Sequence, residues 1–233
     1  MPIAAHFRQR TGALVLAALL GLACGASVAA DKPSAEQVRR WNQQAFDAYE
    51  RAEVARAVRL YGLAAKAGDA SARYNLAVMR IREESDRPTL AEALSLMRAS
   101  AEAGFAPAQF MLGTLLDTGQ LMPQDLARAS TMFAGAAAQG HADAALALGL
   151  QYFLGRGVPQ DYALAARWYE VAADAGDVAA QYLLASMYET ALGVARDLQA
   201  AVQWYSAAAR QGDVAARIKA KELTDRLARE RGS

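Results

Sequence analysis

Apolar and small residues recur along this chain at helical and not at strand spacing. Ala165, Trp168, Tyr169 and Ala172 stand at offsets that place them on one side of an α-helix. Ala144, Leu148 and Tyr152 form a second stripe of the same kind a short distance upstream. The spacing predicts a helix from Ala142 to Leu154, a turn over Gly155-Arg156-Gly157-Val158-Pro159-Gln160, and a second helix from Asp161 to Ala175. Pro159 stops one helix and Asp161 caps the next, because a carboxylate at that position accepts from the free amides of the first turn. Gly176 ends the pair where a left-handed residue is favoured, and Asp177 starts another helix.

The unit repeats. Gly68, Gly104, Gly140, Gly176 and Gly212 are each 36 residues apart, and each is followed four residues later by Ala72, Ala108, Ala144, Ala180 or Ala216. In the same phase stand Leu76, Leu112, Leu148 and Leu184, the alanines Ala57, Ala93, Ala129, Ala165 and Ala201, and the bulky pairs Leu60-Tyr61, Leu96-Met97, Met132-Phe133, Trp168-Tyr169 and Trp204-Tyr205. A period of this length means stacked supersecondary units. The expected architecture is all-α: a right-handed superhelical solenoid of antiparallel helix pairs. Small residues such as Gly149 let the helices approach, and Trp168 and Tyr169 fill the space between pairs.

From Ala144 to Gly176 the residues Leu148-Gly149, Tyr152, Gly155-Arg156-Gly157-Val158, Asp161, Ala165-Ala166, Trp168-Tyr169 and Ala172-Ala173 resemble the Sel1-like repeat, a relative of the tetratricopeptide repeat. The resemblance extends over four units, 69–104, 105–140, 141–176 and 177–212. Capping helices are expected over 31–68, where Val38, Trp41, Ala45 and Tyr49 keep helical spacing without the Leu-Gly signature, and over 213–233, whose many charges suit the end of a stack. Two connections depart from the pattern: Ile81 to Pro88, and Gly119-Gln120-Leu121-Met122-Pro123. Both are expected to differ in backbone shape from the Gly-x-Gly-Val turn.

The resemblance implies a non-catalytic scaffold that holds a protein or an extended peptide on the concave face formed by the first helices. By analogy with the tetratricopeptide register, the candidate contacts are Tyr74, Asn75, Phe110, Leu146, Leu150, Phe153, Tyr182, Ser186 and Glu189, with Val78 and Thr114 beside them. Phe153 is singled out because Tyr152 already occupies the expected core position, and Asn75 because its amide stands where related domains hold a peptide backbone. Exported bacterial members of this class assist envelope assembly, secretion or host interaction.

The first thirty residues have the order of a secretory signal peptide: Arg8 and Arg10, an apolar run from Gly12 to Ala23, then small residues to Ala30. A periplasmic or secreted protein without a transmembrane segment is expected. In the alternative reading, Leu22-Ala23-Cys24-Gly25 directs lipidation of Cys24 and anchors an envelope assembly factor.

Charge and composition narrow the chemistry further. With 25 Lys and Arg against 24 Asp and Glu, no overall field attracts nucleic acid. One Cys and two His leave no metal-ligand set and no Cys–His nucleophile, so neither a metal nor another cofactor is expected. Ser71, Ser95, Ser100, Ser130 and Ser186 lack a neighbouring base, and Glu83-Glu84 falls in a connection that should be solvated. Cysteine-rich relatives of the family are discussed as β-lactam-binding or hydrolysing proteins, but their extra cysteines are absent here. Gly155-Arg156-Gly157 lacks the preceding strand of a phosphate loop, and His141 reads as an exposed helix cap.

Overall fold

A computed structural model describes residues 32–82 and 90–232. The expected signal sequence, Cys24 and the connection holding Glu83-Glu84 lie outside the described residues. Eleven helices are described: α1 (Ala35–Glu50), α2 (Val54–Lys66), α3 (Ala70–Ile81), α4 (Leu90–Glu102), α5 (Ala106–Thr118), α6 (Leu126–Ala137), α7 (Ala142–Leu154), α8 (Tyr162–Asp174), α9 (Val178–Thr190), α10 (Leu198–Arg210) and α11 (Val214–Gly232). No strand occurs among the described residues. Helices pack chiefly on their neighbours in sequence, most tightly within the pairs α1–α2, α3–α4, α5–α6, α7–α8 and α9–α10. The chain is thus an all-α superhelical solenoid in which each layer buries its apolar side against the adjoining layers.

Capping chemistry punctuates the stack. The carboxylates of Asp69, Asp125, Asp161, Asp177 and Asp197 each accept from a first-turn amide of the helix that follows. Alanine occupies many of the most deeply buried positions: Ala57, Ala72, Ala108, Ala129, Ala144, Ala165, Ala180, Ala201 and Ala216 are all fully buried. Between them sit the aromatic rings. Tyr169 and Tyr205 are buried, at 0% and 1% exposure, whereas their partners Trp168 and Trp204 are only half-buried and pack on the margin of the core. Gly149 is the reason Tyr169 fits, since a Cβ there would lie 2.6 Å from the tyrosine ring.

The expected difference in the 119–123 turn is not found. Gly119, Gly155 and Ala191 end α5, α7 and α9 at φ 73, 68 and 60, and Leu121 (φ 64) takes the left-handed conformation of Gly157 and Gly193. The turn closes with the same hydrogen bond in each case: Asp125 N donates to Leu116 O, Asp161 N to Tyr152 O, and Asp197 N to Tyr188 O. Packing of the flanking helices fixes the span and direction of the turn, so the backbone keeps its path even where the residues are non-glycine and the left-handed region costs about 1–2 kcal/mol.

Candidate partner-binding surface

The 36-residue register carries a row of side chains across the first helices. Tyr74, Phe110, Leu146, Tyr182 and Ile218 share one position on α3, α5, α7, α9 and α11. One turn further along come Val78, Thr114, Leu150 and Ser186, and after them Arg82, Thr118, Leu154 and Thr190. On α7 the row is a stripe of three leucines, because Leu146, Leu150 and Leu154 follow one another at four-residue steps. Leu150 is 43% and Leu154 48% exposed. The hydroxyls of Thr114, Thr118 and Thr190 donate to carbonyls four residues back in their own helices, so these positions present mainly methyl groups.

The proposed contacts occupy different situations. Tyr74 meets Phe105 edge-on, with ring centroids 5.5 Å apart. Phe110 stacks on His141 at 4.6 Å and tilts against Phe133 at 6.0 Å. Each of these rings leans on the residue that heads the next first helix. His141 does cap α7, its Nδ1 accepting from Ala144 N at 3.4 Å, but the stack leaves it half-buried and not exposed. Asn75 lines a cavity of about 220 Å³ between α1 and α3, together with Phe46, Tyr49 and Val78. Leu146 is half-buried and Leu150 open to solvent.

Phe153 lies between two rings of α8, 5.3 Å from Tyr162 and 6.5 Å from Tyr169. Tyr182 packs edge-on against Tyr205 at 5.1 Å. Glu189 accepts from the Tyr205 hydroxyl at 2.9 Å and pairs with Lys219 of α11 at 3.3 Å. Ser186, one turn before it, is half-buried. The row therefore divides: Leu150 faces outward, while Phe153 and Glu189 hold helices together.

Three exposed apolar side chains in this row escape the tetratricopeptide analogy: Leu154, Phe46 on α1 at 53% exposure, and Ile218 on α11 at 54%. The register contains the signal for them. Phe46 is in phase with Leu154, and Ile218 with Tyr182. A second feature not foreseen is a polar clasp between α5 and α7. Asp117 accepts from Gln151 Nε2 at 2.6 Å and from Arg156 at 3.2 Å, tying one pair to the next.

Two tyrosines of the second helices have raised hydroxyl pKa values. Burial pushes the Tyr169 hydroxyl up to about 12, and burial followed by the hydrogen bond to Glu189 raises that of Tyr205. Both groups stay neutral phenols at ordinary pH and sit inside the stack. Among the described residues, no three His, Cys, Asp or Glu side chains converge, and no helix is long and apolar enough to cross a membrane.

This arrangement of paired helices in register defines a repeat scaffold. The family model of the Sel1 repeat matches residues 51–69, 106–141, 142–177 and 178–213, more than half of the sequence, and the chain belongs to that family. Sel1 repeats generally form scaffolds that bind other proteins. Two solved structures are similar in sequence and shape. One is c5321, a protective antigen present in uropathogenic Escherichia coli strains and displaying an SLR fold; it is 33% identical over 68% of this chain and 34% of its own length, with a TM-score of 0.64. The other is a Sel1 repeat protein from Oxalobacter formigenes, 32% identical over 72% of this chain and 49% of its own, with a TM-score of 0.67. The chain thus spans between a third and a half of the length of these relatives. No curated protein matches the sequence.

Proposed function

We propose that this protein is an exported scaffold of the bacterial cell envelope that holds an extended segment of another protein along its first helices, on the concave side of the superhelix. The observation that carries the reading is the α7 stripe, where Leu150 and Leu154 stand nearly half exposed one and two turns beyond Leu146, the residue in phase with Tyr74, Phe110 and Tyr182 of the neighbouring layers. Apolar side chains left in water at matched positions gain from being covered, at roughly 25 cal/mol per Å². The periodic groove gives specificity through which side chains fill each layer. Export rests on the order of basic, apolar and small residues before Asp31.

A photo-crosslinking amino acid at position 150 should capture a partner protein in cells, and the same probe at Arg167, an exposed residue of α8, should not. Leu150→Glu combined with Leu154→Glu should then weaken binding of the captured partner about tenfold or more without lowering the melting temperature. Unchanged affinity in that double variant would defeat the reading. A membrane-anchored form of the same scaffold is distinguished by its N-terminus, acylated Cys24 or free Ala30 or Asp31, which mass spectrometry reads directly.

A further inference from the structure

A larger groove lies on another face, between the second helices α2 and α4, and measures about 740 Å³. Its floor is aliphatic, formed by Leu60, Leu63 and Leu96, and Leu63 is 44% exposed. Its rim is cationic: Arg56, Arg59 and Lys66 from α2 and Arg80 from α3. Helix α2 contains no acidic residue at all. Arg56 and Arg80 reach Glu53 and Glu92 at 2.9 and 3.2 Å, both surface pairs, while Arg59 and Lys66 have no acidic partner among the described residues. The groove is open because Gly62 stands where the other second helices carry Arg98, Ala134, Glu170 and Ser206, and a Cβ at Gly62 would meet nothing within 4 Å. Glycine inside a helix costs stability relative to alanine, so its place here needs a reason.

We infer that this groove is a second docking site, specific for an acidic peptide segment that sets apolar side chains on the leucine floor. The charge distribution selects the ligand. Arg56 and Lys66 are ten residues apart on one helix, hence about 15 Å, the span of four to five residues of extended chain. A lipid headgroup would satisfy one end of that row and leave the other cations unmatched. A single-stranded nucleic acid would look for aromatic platforms, and the lining has none. The site is independent of the first-helix row and stands or falls separately from it.

The test uses the full chain and a fluorescein-labelled peptide of alternating glutamate and leucine, with its lysine–leucine counterpart as control, read by fluorescence anisotropy. The acidic peptide should bind and the basic one should not, and added salt should weaken the complex. Gly62→Glu places a carboxylate, of the same sign as the peptide, in the groove at a position where an added Cβ meets nothing within 4 Å. It should reduce affinity about tenfold or more while leaving the melting curve in place, as should Arg59→Glu with Lys66→Glu. Arg167→Glu on α8, and Leu150→Glu with Leu154→Glu on α7, should leave peptide binding unchanged. Equal binding of both peptides, or full affinity in Gly62→Glu, would overturn the inference. So would tighter binding of phosphatidylglycerol vesicles or of an oligothymidylate, lost in the same variants.

Discussion

The fourth and fifth helix pairs have the same backbone plan and opposite chemistry at one matched site. In the fifth pair, α9 places Glu189 beside Tyr205 of α10; the hydroxyl donates to the carboxylate at 2.9 Å, and Lys219 of the next layer completes the clasp. In the fourth pair, α7 has Phe153 at the position of Glu189, so the equivalent Tyr169 hydroxyl is buried with no partner. The third pair solves the same problem differently. There Phe133 replaces the tyrosine, and Asp117, relieved of that hydroxyl, clasps Gln151 and Arg156 of the following layer. The polar clasp is therefore missing only from the α7–α8 pair among these three, and that is the pair whose first helix carries the exposed leucine stripe. An unsatisfied buried hydroxyl costs about 1–3 kcal/mol, and the fourth layer bears that cost while keeping an apolar surface around Leu146, Leu150 and Leu154.

Single substitutions should separate the layers by amounts that differ in size. Tyr169→Ala removes a fully buried ring shared by Gly149 and Phe153 and should cost about 3–5 kcal/mol in chemical denaturation. Trp168→Ala, acting on a half-buried side chain, should cost clearly less. Next comes Gly149→Ala, whose methyl group would lie 2.6 Å from the Tyr169 ring; overpacking of this kind should lower stability by about 1–3 kcal/mol. Ala191→Gly tests the turn geometry. Ala191 holds φ 60 where Gly119 and Gly155 stand in the other layers, so relief of the left-handed backbone should raise stability by about 1 kcal/mol. The tyrosines add a pH signature. The Tyr169 pKa is raised by burial from 10.0 to about 12, so its contribution to stability is complete below pH 10 and is lost as pH rises through about 12. Tyr169→Phe should blunt that alkaline loss in a pH-resolved melt.

Much of the stack is legible in the sequence because its determinants are local and periodic. The glycines, the capping aspartates and the apolar stripes predict α7 and α8 to within a residue of their observed ends. What the sequence conceals is the division of labour inside a bulky pair. Trp168 and Tyr169 read as a unit, yet only the tyrosine reaches the core, since Gly149 opens a slot for one ring and not two. Phe153 is a candidate contact by sequence because Tyr152 occupies the core phase, yet its ring meets Tyr162 and Tyr169, side chains that lie across the pair and not along the helix. Leu121 shows the reverse situation. It lacks the glycine that marks the turn elsewhere, but the helices on either side impose the same backbone. The groove between α2 and α4 is the least legible feature, because Gly62 matters through a side chain that is absent.

Tyr205→Phe and Tyr169→Phe, measured side by side in one denaturation series, probe the claim that equivalent layers are divided between clasping and open surface. Tyr205→Phe should lose about 1–2 kcal/mol, as Glu189 forfeits one of its two side-chain donors and keeps Lys219, whereas Tyr169→Phe should be neutral or stabilising because it removes an unpartnered hydroxyl. Equal losses at the two positions would contradict that claim.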